Sequence, residues 1–374
     1  MTLLPTARYF PSLTIRQSEC EALSRLAEPT KDTLFPIVRV QAWPHPKQGE
    51  GGPVERSIDH INAAFGLRQI GVDLAQPVYD PDKVYKTQAR ADWASLGRSE
   101  IAALADPANG FDAWCTFIGG DNRRIPVVQW TDDANALRTQ VERLASFGRG
   151  LIFRFRRSRG WNLEQAAALA GFPLGATHVL MVYDYEQIKP SDDLTSIGIT
   201  IQGAILSLNS VITGGARDHV FKASSFPSEF VTSGEEYACL AIRERQLFEM
   251  LKSSPPIAAA GINLSYGDHA AVYASDREPA FRGVPRVDYP TPGDWVYHRR
   301  REGFQNAAER VRADTRWDDS NLCWGAQRIR EASSGKMEGL NAAGRWTTIR
   351  MNIHMHVQAH SAGVSLSTDE LWTD

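Results

Sequence analysis

Short apolar, β-branched runs alternate along this 374-residue chain with longer segments whose apolar residues recur at helical spacing. Such alternation predicts an α/β architecture built around a parallel sheet. The predicted strands are residues 34–43, 70–74, 125–130, 151–155, 179–183, 220–223, 262–264 and 286–289. Because eight strands separated by helices are what a closed barrel needs, the pattern predicts an α/β fold of the (β/α)8 TIM-barrel-like type in a single domain.

An open, doubly wound sheet would show the same alternation. Such sheets often carry a phosphate-binding fingerprint, and the chain has neither G-x-G-x-x-G after its first predicted strand nor G-x-x-x-x-G-K-[ST] anywhere. We therefore favour the barrel and assign it to residues 1–303. Residues 304–374 are predicted to form a C-terminal appendage packed on the barrel, so that both make one structural unit. This appendage is expected to contain helices at 304–313 and 322–332 and a strand at 345–358.

The charge balance bears on the class of partner. The net charge is −3, and 43% apolar with 23% charged residues is ordinary for a globular protein. No overall field would attract nucleic acid or a membrane. Residues 138–159 do contain seven arginines against one acidic residue, Glu142. Strand alternation distributes these arginines over different faces, so nucleic acid is not the expected partner.

Cysteine usage and targeting signals indicate the compartment. The four cysteines are far apart and form no C-x-x-C pair, which favours reduced thiols over a zinc ribbon or a disulfide framework. The N-terminal segment lacks the pattern of a secretion signal, and no run approaches 18 consecutive apolar residues. We therefore expect a cytoplasmic protein without a membrane-spanning segment.

Five short motifs follow one another along the chain. They are YFPSL at 9–13, SSFP at 224–227, YGD at 266–268, NLCWG at 321–325 and NIHMH at 352–356. In this order, the motifs resemble the bacteriophage beta-protein family. The resemblance implies a one-domain, barrel-like architecture and a phage or antiphage context, with a phage or host protein as a possible partner. It implies no reaction and no catalytic residue.

Polar side chains stand at or near the ends of several predicted strands. They are Asp73, Arg154, Arg156, Asp184, Ser224, Ser225 and Asp268. In a β/α barrel the functional groups gather at the C-terminal ends of the strands, so we expect these side chains to converge at one mouth. Asp184 and Asp268 are the candidates for acid or base, and the others for ligand binding.

The two arginines of the fourth predicted strand alternate with phenylalanines. Phe153 and Phe155 are expected to face the helices, so that Arg154 and Arg156 face the barrel axis or its mouth. A buried arginine requires a carboxylate or a bound anion. Two interpretations stay open: a structural ion pair of Arg154 with Asp184 or Asp73, and a site for phosphate or carboxylate.

Structural alternatives exist for three of these candidates, Ser224, Ser225 and Asp268. Ser224 and Ser225 lack a G-x-S-x-G context, so they are expected to cap a helix or to bind a ligand phosphate rather than to act as nucleophiles. Asp268 is a possible base or metal ligand, and a Gly-Asp pair also favours a turn. Trp324, from the fourth motif, is added to the ligand-binding set.

Three histidines close the pattern, with the spacing H-x-H-x-x-x-H at His354, His356 and His360. On a strand, His354 and His356 would share one face, and we include both as ligand-binding candidates. Two imidazoles on one face can hold zinc or iron if a third ligand, such as Asp268, is near. Histidines also complete hydrogen-bond networks, so no metal or cofactor is assigned.

Two classes of function follow. The first is a barrel whose C-terminal mouth binds an anionic, phosphate-containing ligand such as a nucleotide, with or without hydrolysing it. The second is a non-catalytic interaction protein that recognises a phage or host component. An open polar pocket with unpaired arginines would favour the first. Complete pairing of Arg154, Arg156, Asp73, Asp184 and Asp268 without an open pocket would favour the second.

Overall fold

Eight parallel strands form one barrel-like sheet in the computed structural model, which describes residues 7–44, 51–75, 85–175, 177–213, 216–227, 236–274 and 284–361. The strands are β1 Tyr9–Thr14, β2 Ile37–Val40, β3 Ile70–Leu74, β4 Arg124–Pro126, β5 Leu151–Arg156, β6 Val179–Gln187, β7 Arg217–Ser224 and β9 Leu264–Asp268. Their order across the sheet is β4-β3-β2-β1-β9-β7-β6-β5. A parallel bridge between Val127 and Ile152 joins the two outer strands, so the sheet is nearly closed. The predicted α/β architecture with eight parallel strands is confirmed.

The helices lie between these strands and after them. They are α1 Gln17–Ser24, α2 Glu28–Asp32, α3 Pro53–Phe65, α4 Gln88–Ala105, α5 Ala108–Gly119, α6 Ala134–Ser146, α7 Leu163–Ala167, α8 Leu194–Val211, α9 Arg243–Lys252, α10 Pro255–Ala259, α11 Phe304–Arg312, α12 Trp324–Ser333 and α13 Ala343–His360, with a 3-10 helix at Arg157–Asn162. Asp133 and Asp193 begin α6 and α8, because each carboxylate accepts two backbone N–H groups of the first turn.

Strand alternation divides the apolar side chains into two layers. The inner layer fills the space enclosed by the sheet, and its members are Phe10, Phe35, Ile37, Ile125, Val127, Ile152, Leu180, Val182 and Val220. The residues between them face outward and pack against the helices. On β5, Phe153 and Phe155 lie in this outer core as predicted, beside Trp130.

A second, smaller sheet adjoins the barrel. It is antiparallel, in the order β10-β11-β8, with β8 at Tyr237–Ala241, β10 at Arg286–Pro290 and β11 at Asp294–Arg299. This sheet shares a separate apolar core with α11, α12 and α13, and that core includes Val287, Val296, Ile329 and Ile349. The division into residues 1–303 and 304–374 stays a prediction, and residues 362–374 lie outside the described part of the chain.

Two predicted barrel elements are different in the structure. Residues 286–289 belong to β10 of the antiparallel sheet, and the eighth barrel strand is instead β1. The sequence pattern does not reveal β1, because Pro11 interrupts it and proline is unusual in a central strand. The sequence also predicts a single helix over residues 235–251. Residue 235 lies outside the described ranges, 237–241 form β8, and α9 begins only at Arg243.

The predicted strand at 345–358 is wrong, because these residues lie in helix α13. Apolar residues occupy alternate positions there, which imitates a strand. On the helix, Ile349 and Ile353 pack into the core of the small sheet, whereas Met351 and Met355 pack into the barrel core. The alternation of apolar residues at 345–358 therefore comes from a helix buried between two cores, not from a strand.

Helix α8 is long and apolar enough to cross a membrane by length and composition. In this structure Ile201, Ile205 and Leu208 of α8 pack into the outer core of the barrel. Helix α8 thus belongs to the layer of helices that covers the outside of the sheet.

Candidate functional site

Charged side chains occupy the inward positions that follow the inner apolar layer toward the C-terminal ends of the strands. They are Arg39 on β2, Asp73 on β3, Arg154 on β5, Asp184 on β6 and Lys222 on β7, and all are buried. Strand alternation explains the placement, because Val220 lies two residues before Lys222 and Ile152 two before Arg154. We call these five residues the mouth cluster.

Arg154 joins two carboxylates. Its Nε and Nη2 donate to Asp184 Oδ2 over 2.8 and 2.5 Å, and its Nη1 donates to Asp73 Oδ2 over 2.5 Å. Burial alone would lower the pKa of Arg154, but the two carboxylates raise it above its ordinary value. Arg154 therefore forms the ion pair of the first interpretation, and it does so with Asp184 and Asp73 at the same time.

Asp184 is the centre of the cluster. Lys222 Nζ lies 3.0 Å from its Oδ2, and His269 Nε2 lies 3.2 Å from its Oδ1. Burial works to raise the pKa of Asp184, but Lys222, Arg154 and His269 hold it well below the ordinary value. Burial lowers the pKa of His269 to about 4, so this imidazole is neutral at pH 7. Asp184 is therefore a permanent negative charge rather than a proton donor.

Lys222 is the least satisfied member of the cluster. Its side chain is fully buried, and its Nζ has no partner in good hydrogen-bond geometry among the described residues. Asp184 Oδ2, the nearest carboxylate oxygen, already accepts two hydrogen bonds from Arg154. Burial, and then the charge of Arg154, lower the pKa of Lys222 to about 7, although Asp184 opposes the shift.

The mouth cluster has more cations than carboxylates. Arg39, Arg154 and Lys222 face Asp73 and Asp184. Burial, followed by repulsion from Arg154, lowers the pKa of Arg39 to about 10, which leaves it charged at neutral pH. With Lys222 protonated, the five residues carry one excess positive charge, and with Lys222 neutral they carry none.

Arg156 forms a separate pair at the rim. Its Nε and Nη2 donate to Glu186 Oε1 over 2.9 and 2.5 Å, and Ser158 N–H donates to the other carboxylate oxygen over 2.8 Å. Glu186 follows a shift in the β6–β7 register. Arg156 therefore lies near the predicted mouth but is neutralised by its own carboxylate.

The expectation that Asp268 joins the mouth is wrong. Its carboxylate accepts hydrogen bonds from the hydroxyls of Tyr9 and Tyr266 and lies 2.7 Å from His354 Nε2 of α13. Gly267, one residue earlier, faces Val220 of the inner layer, so Asp268 points outward to the helices. Burial tends to raise the pKa of Asp268, but His354 and the Tyr9 hydroxyl keep it below its ordinary value.

Five other candidates also lie outside the mouth cluster. Ser224 donates to the carbonyl of Val272, and the Ser225 hydroxyl accepts the Arg243 N–H at the start of α9, which matches the capping alternative. Trp324 packs in the core of the small sheet. His354 and His356 do not share a face, because residues two apart on a helix point in nearly opposite directions.

His354 and His356 consequently have different surroundings. His354 is buried against Asp268 and stacks on Trp295, whereas the ring of His356 lies tilted against that of His360, with centroids 4.2 Å apart. Within the described ranges, no group of three or more His, Cys, Asp and Glu side chains is arranged to hold a metal ion. A metal site that uses both His354 and His356 therefore has no geometric basis on this helix.

Sequence reasoning missed Arg39, Lys222, His269 and Glu244. The signal for Lys222 was present, since a lone lysine interrupts the apolar run of β7 at an inward position. Glu244 gave no signal, because it begins a helix whose start was misplaced. Its Oε2 accepts the Ser225 N–H over 2.8 Å, and burial raises its pKa to about 8.

Comparisons with known proteins agree on one family. The family model described as "Beta protein" matches residues 9–360. The chain is 23% identical over 361 residues to "Protein beta" of Enterobacteria phage P4, which covers 94% of this chain and 92% of the phage protein. No solved structure matches.

Proposed function

The chain belongs to the beta-protein family, and on that premise we propose that its barrel mouth binds an anionic, phosphate-containing ligand. Membership confirms the resemblance and the link to a phage protein. The ligand is argued from the site alone. The proposal also takes the nearly closed sheet to be a (β/α)8 barrel of the TIM type, in which ligands meet the C-terminal ends of the strands.

Lys222 carries the proposal. A buried ammonium without a hydrogen-bond acceptor is costly, so it either loses its proton or receives an anion. Arg154 and Arg39 lie in the same cluster, so a protonated Lys222 leaves the five residues with one positive charge more than their two carboxylates carry. A bound oxyanion would accept its free N–H groups and neutralise that charge.

Hydrolysis receives less support than binding. Asp184 is held ionised and Asp268 lies on the other side of the sheet, so neither is placed as the acid of a cleavage reaction at the mouth. Ser224 and Ser225 are engaged in structural hydrogen bonds. We propose binding as the basic property of the site, with Arg39 and Lys222 as its main contacts.

Inorganic phosphate tests this proposal directly. The melting temperature of the full chain should rise with millimolar phosphate at pH 6, where Lys222 is protonated, and change less at pH 8.5. Lys222→Met should abolish the phosphate-dependent shift, and the exposed Lys189→Met serves as the matched control. Sodium chloride at equal ionic strength separates a site from screening. A wild-type protein whose melting temperature ignores phosphate would refute the anion site.

An interaction protein is the second candidate, and a specific observation favours it. Arg154, Arg156, Asp73, Asp184 and Asp268 all have partners within the protein. Under this alternative the mouth cluster is structural, and a phage or host protein is bound elsewhere on the molecule. Phage plaque counts on cells that contain equal amounts of folded wild type or Lys222→Met separate the two, since only the anion site then predicts that this buried change alters an antiphage phenotype.

A cytoplasmic location is also proposed. Cys20, Cys115, Cys239 and Cys323 are all free thiols, and the first, second and fourth are buried. Reduced cysteines are typical of the cytosol. Fractionation of cells that express the full chain would check this location.

A further inference from the structure

The amine of Lys222 is placed for a covalent reaction as well as for ion pairing. We infer that Lys222 is a nucleophile that forms an imine with the carbonyl group of an anionic ligand. This inference rests on the proposed anion site and deepens it, because it names the ligand class as small oxo acids or phosphorylated aldehydes and ketones.

The geometry leaves the amine of Lys222 only partly satisfied. Lys222 projects inward from β7 beyond Val220, and its Nζ is fully buried. The one carboxylate oxygen within 3.0 Å, Asp184 Oδ2, already accepts the Nε and Nη2 hydrogens of Arg154. The nitrogen therefore has one shared ionic contact and no hydrogen bond in good geometry among the described residues.

The surroundings also favour the neutral amine. Burial and the adjacent Arg154 lower the pKa of Lys222 to about 7, so the unprotonated fraction at neutral pH is much larger than for an exposed lysine. An ordinary lysine, with a pKa of ~10.4, has on the order of one in a thousand unprotonated there. Lysines that are desolvated or lie beside another cation are the ones activated for imine formation.

The reaction balances without a further reactant. The nitrogen lone pair attacks the carbonyl carbon, a C–N bond forms, and one amine hydrogen moves to the carbonyl oxygen to give a carbinolamine. The C–O bond then breaks, and the second amine hydrogen leaves with the hydroxyl group as water. Neutral His269, 3.2 Å from Asp184, lies in the same network and can relay these protons.

Charge complementarity explains the preference for an anionic carbonyl compound. A protonated imine keeps the positive charge that a protonated Lys222 would carry. The mouth cluster then again has three cations against two carboxylates, and the acid group of the ligand supplies the missing negative charge. Arg39, the other cation whose pKa burial and Arg154 depress, is the expected contact for that acid group.

Access is from the side of Asp73. The exposed fraction of the side chain falls from 10% at Asp73 to 4% at Arg154 and to 0% at Asp184 and Lys222. A ligand that enters the mouth therefore meets Asp73 and Arg154 before Lys222. Small probes are the appropriate ones for such a buried amine.

Reductive trapping tests the inference on the full chain. The protein is incubated at pH 7 with glyoxylate, an anionic aldehyde, and cyanoborohydride, and the modified lysines are located by peptide mass spectrometry. Lys222 should be modified at least tenfold faster than the exposed Lys189 and Lys252. Glycolaldehyde, which is uncharged, should react more slowly with Lys222, and inorganic phosphate should slow the glyoxylate reaction.

Two variants complete the design. Lys222→Arg keeps a charge but has no nucleophilic amine, so it should lose the adduct and retain the phosphate-dependent rise in melting temperature. Lys189→Arg should lose only its own adduct. The wild-type peptide map decides the question even if Lys222→Arg misfolds.

The outcomes separate the two proposals. An unmodified Lys222 in a protein whose Lys189 and Lys252 are modified overturns the imine, and the anion site stands if phosphate still stabilises the fold. Rapid modification of Lys222 by both aldehydes alike, without protection by phosphate, supports the nucleophile and removes the anionic part of the proposal.

Discussion

His354 Nε2 lies 2.7 Å from Asp268 Oδ2, although the two residues are 86 positions apart in the chain. The pair connects helix α13 to the end of barrel strand β9, and both side chains are fully buried. Tyr9 of β1 donates to the other oxygen of the same carboxylate. The C-terminal helix is therefore fastened to the seam where the first and last barrel strands meet.

Replacement of His354 should destabilise the protein. In His354→Ala the Asp268 carboxylate stays buried but loses one partner, which we expect to reduce the free energy of unfolding by about 1–3 kcal/mol. His356→Ala is the control, because His356 contacts His360 of the same helix rather than Asp268. This change should reduce the free energy of unfolding much less. Urea unfolding measures both. Equal effects of the two changes would show that the Asp268 contact adds nothing specific.

The Lys222 amine should make stability depend on pH. Its folded pKa of about 7 is below the unfolded value of ~10.4, so the unfolded state binds more protons between these values. Burial of the protonated amine thus lowers the free energy of unfolding by its full amount below pH 7 and by less as the pH rises. Between pH 7 and 9, the stability of the wild type should rise relative to that of Lys222→Met, by at most about 1.4 kcal/mol per pH unit. Parallel pH profiles of the two proteins would contradict this.

The sequence predicted most strands of the barrel-like sheet, because the signal for a buried strand is local. Apolar runs such as 151–155 and 179–183 mark their strands without reference to the rest of the chain. Two other features depend on tertiary contacts rather than on the local sequence. They are the place of β1 in the sheet and the helical conformation of α13. Pro11 is acceptable only where the neighbouring strands tolerate its missing N–H, and α13 needs a core on each side.

Part of the site was predicted as well, because strand alternation is also a local property of the sequence. Strand alternation placed Arg154, Asp184 and Asp73 at one mouth, and these three are in contact. It failed for Asp268, because a shift of one residue along β9 exchanges the two faces of the strand. His269, the adjacent residue, is the one that reaches Asp184.

Glu244 should produce the opposite pH dependence to Lys222. Burial raises its pKa to about 8, above the unfolded value of ~4.3, so the folded state binds more protons between these values. Its contribution to stability is present below pH ~4.3 and is lost as the pH rises to 8. Glu244→Gln keeps an acceptor for the Ser225 N–H but cannot ionise. Relative to this variant, the wild type should lose stability from pH 5 to pH 8 in urea unfolding, and a constant difference would rule out the buried acid.

Gly267 should tolerate no side chain, because it is paired with Phe10 of β1 and leaves no room for a Cβ. A Cβ at this position would come within 2.7 Å of the Phe10 carbonyl oxygen and 3.1 Å of Val220 Cγ1. Backbone cannot retreat from such a contact without disturbing the inner layer, so Gly267→Ala should cost about 1–3 kcal/mol. Gly203→Ala is the matched control, since nothing lies within 4 Å of a Cβ there and alanine favours helix α8 by about 0.5–1 kcal/mol. Thermal unfolding should therefore move in opposite directions for the two variants. A Gly267→Ala protein as stable as the wild type would mean that β1 and β9 are not packed as closely as their pairing requires.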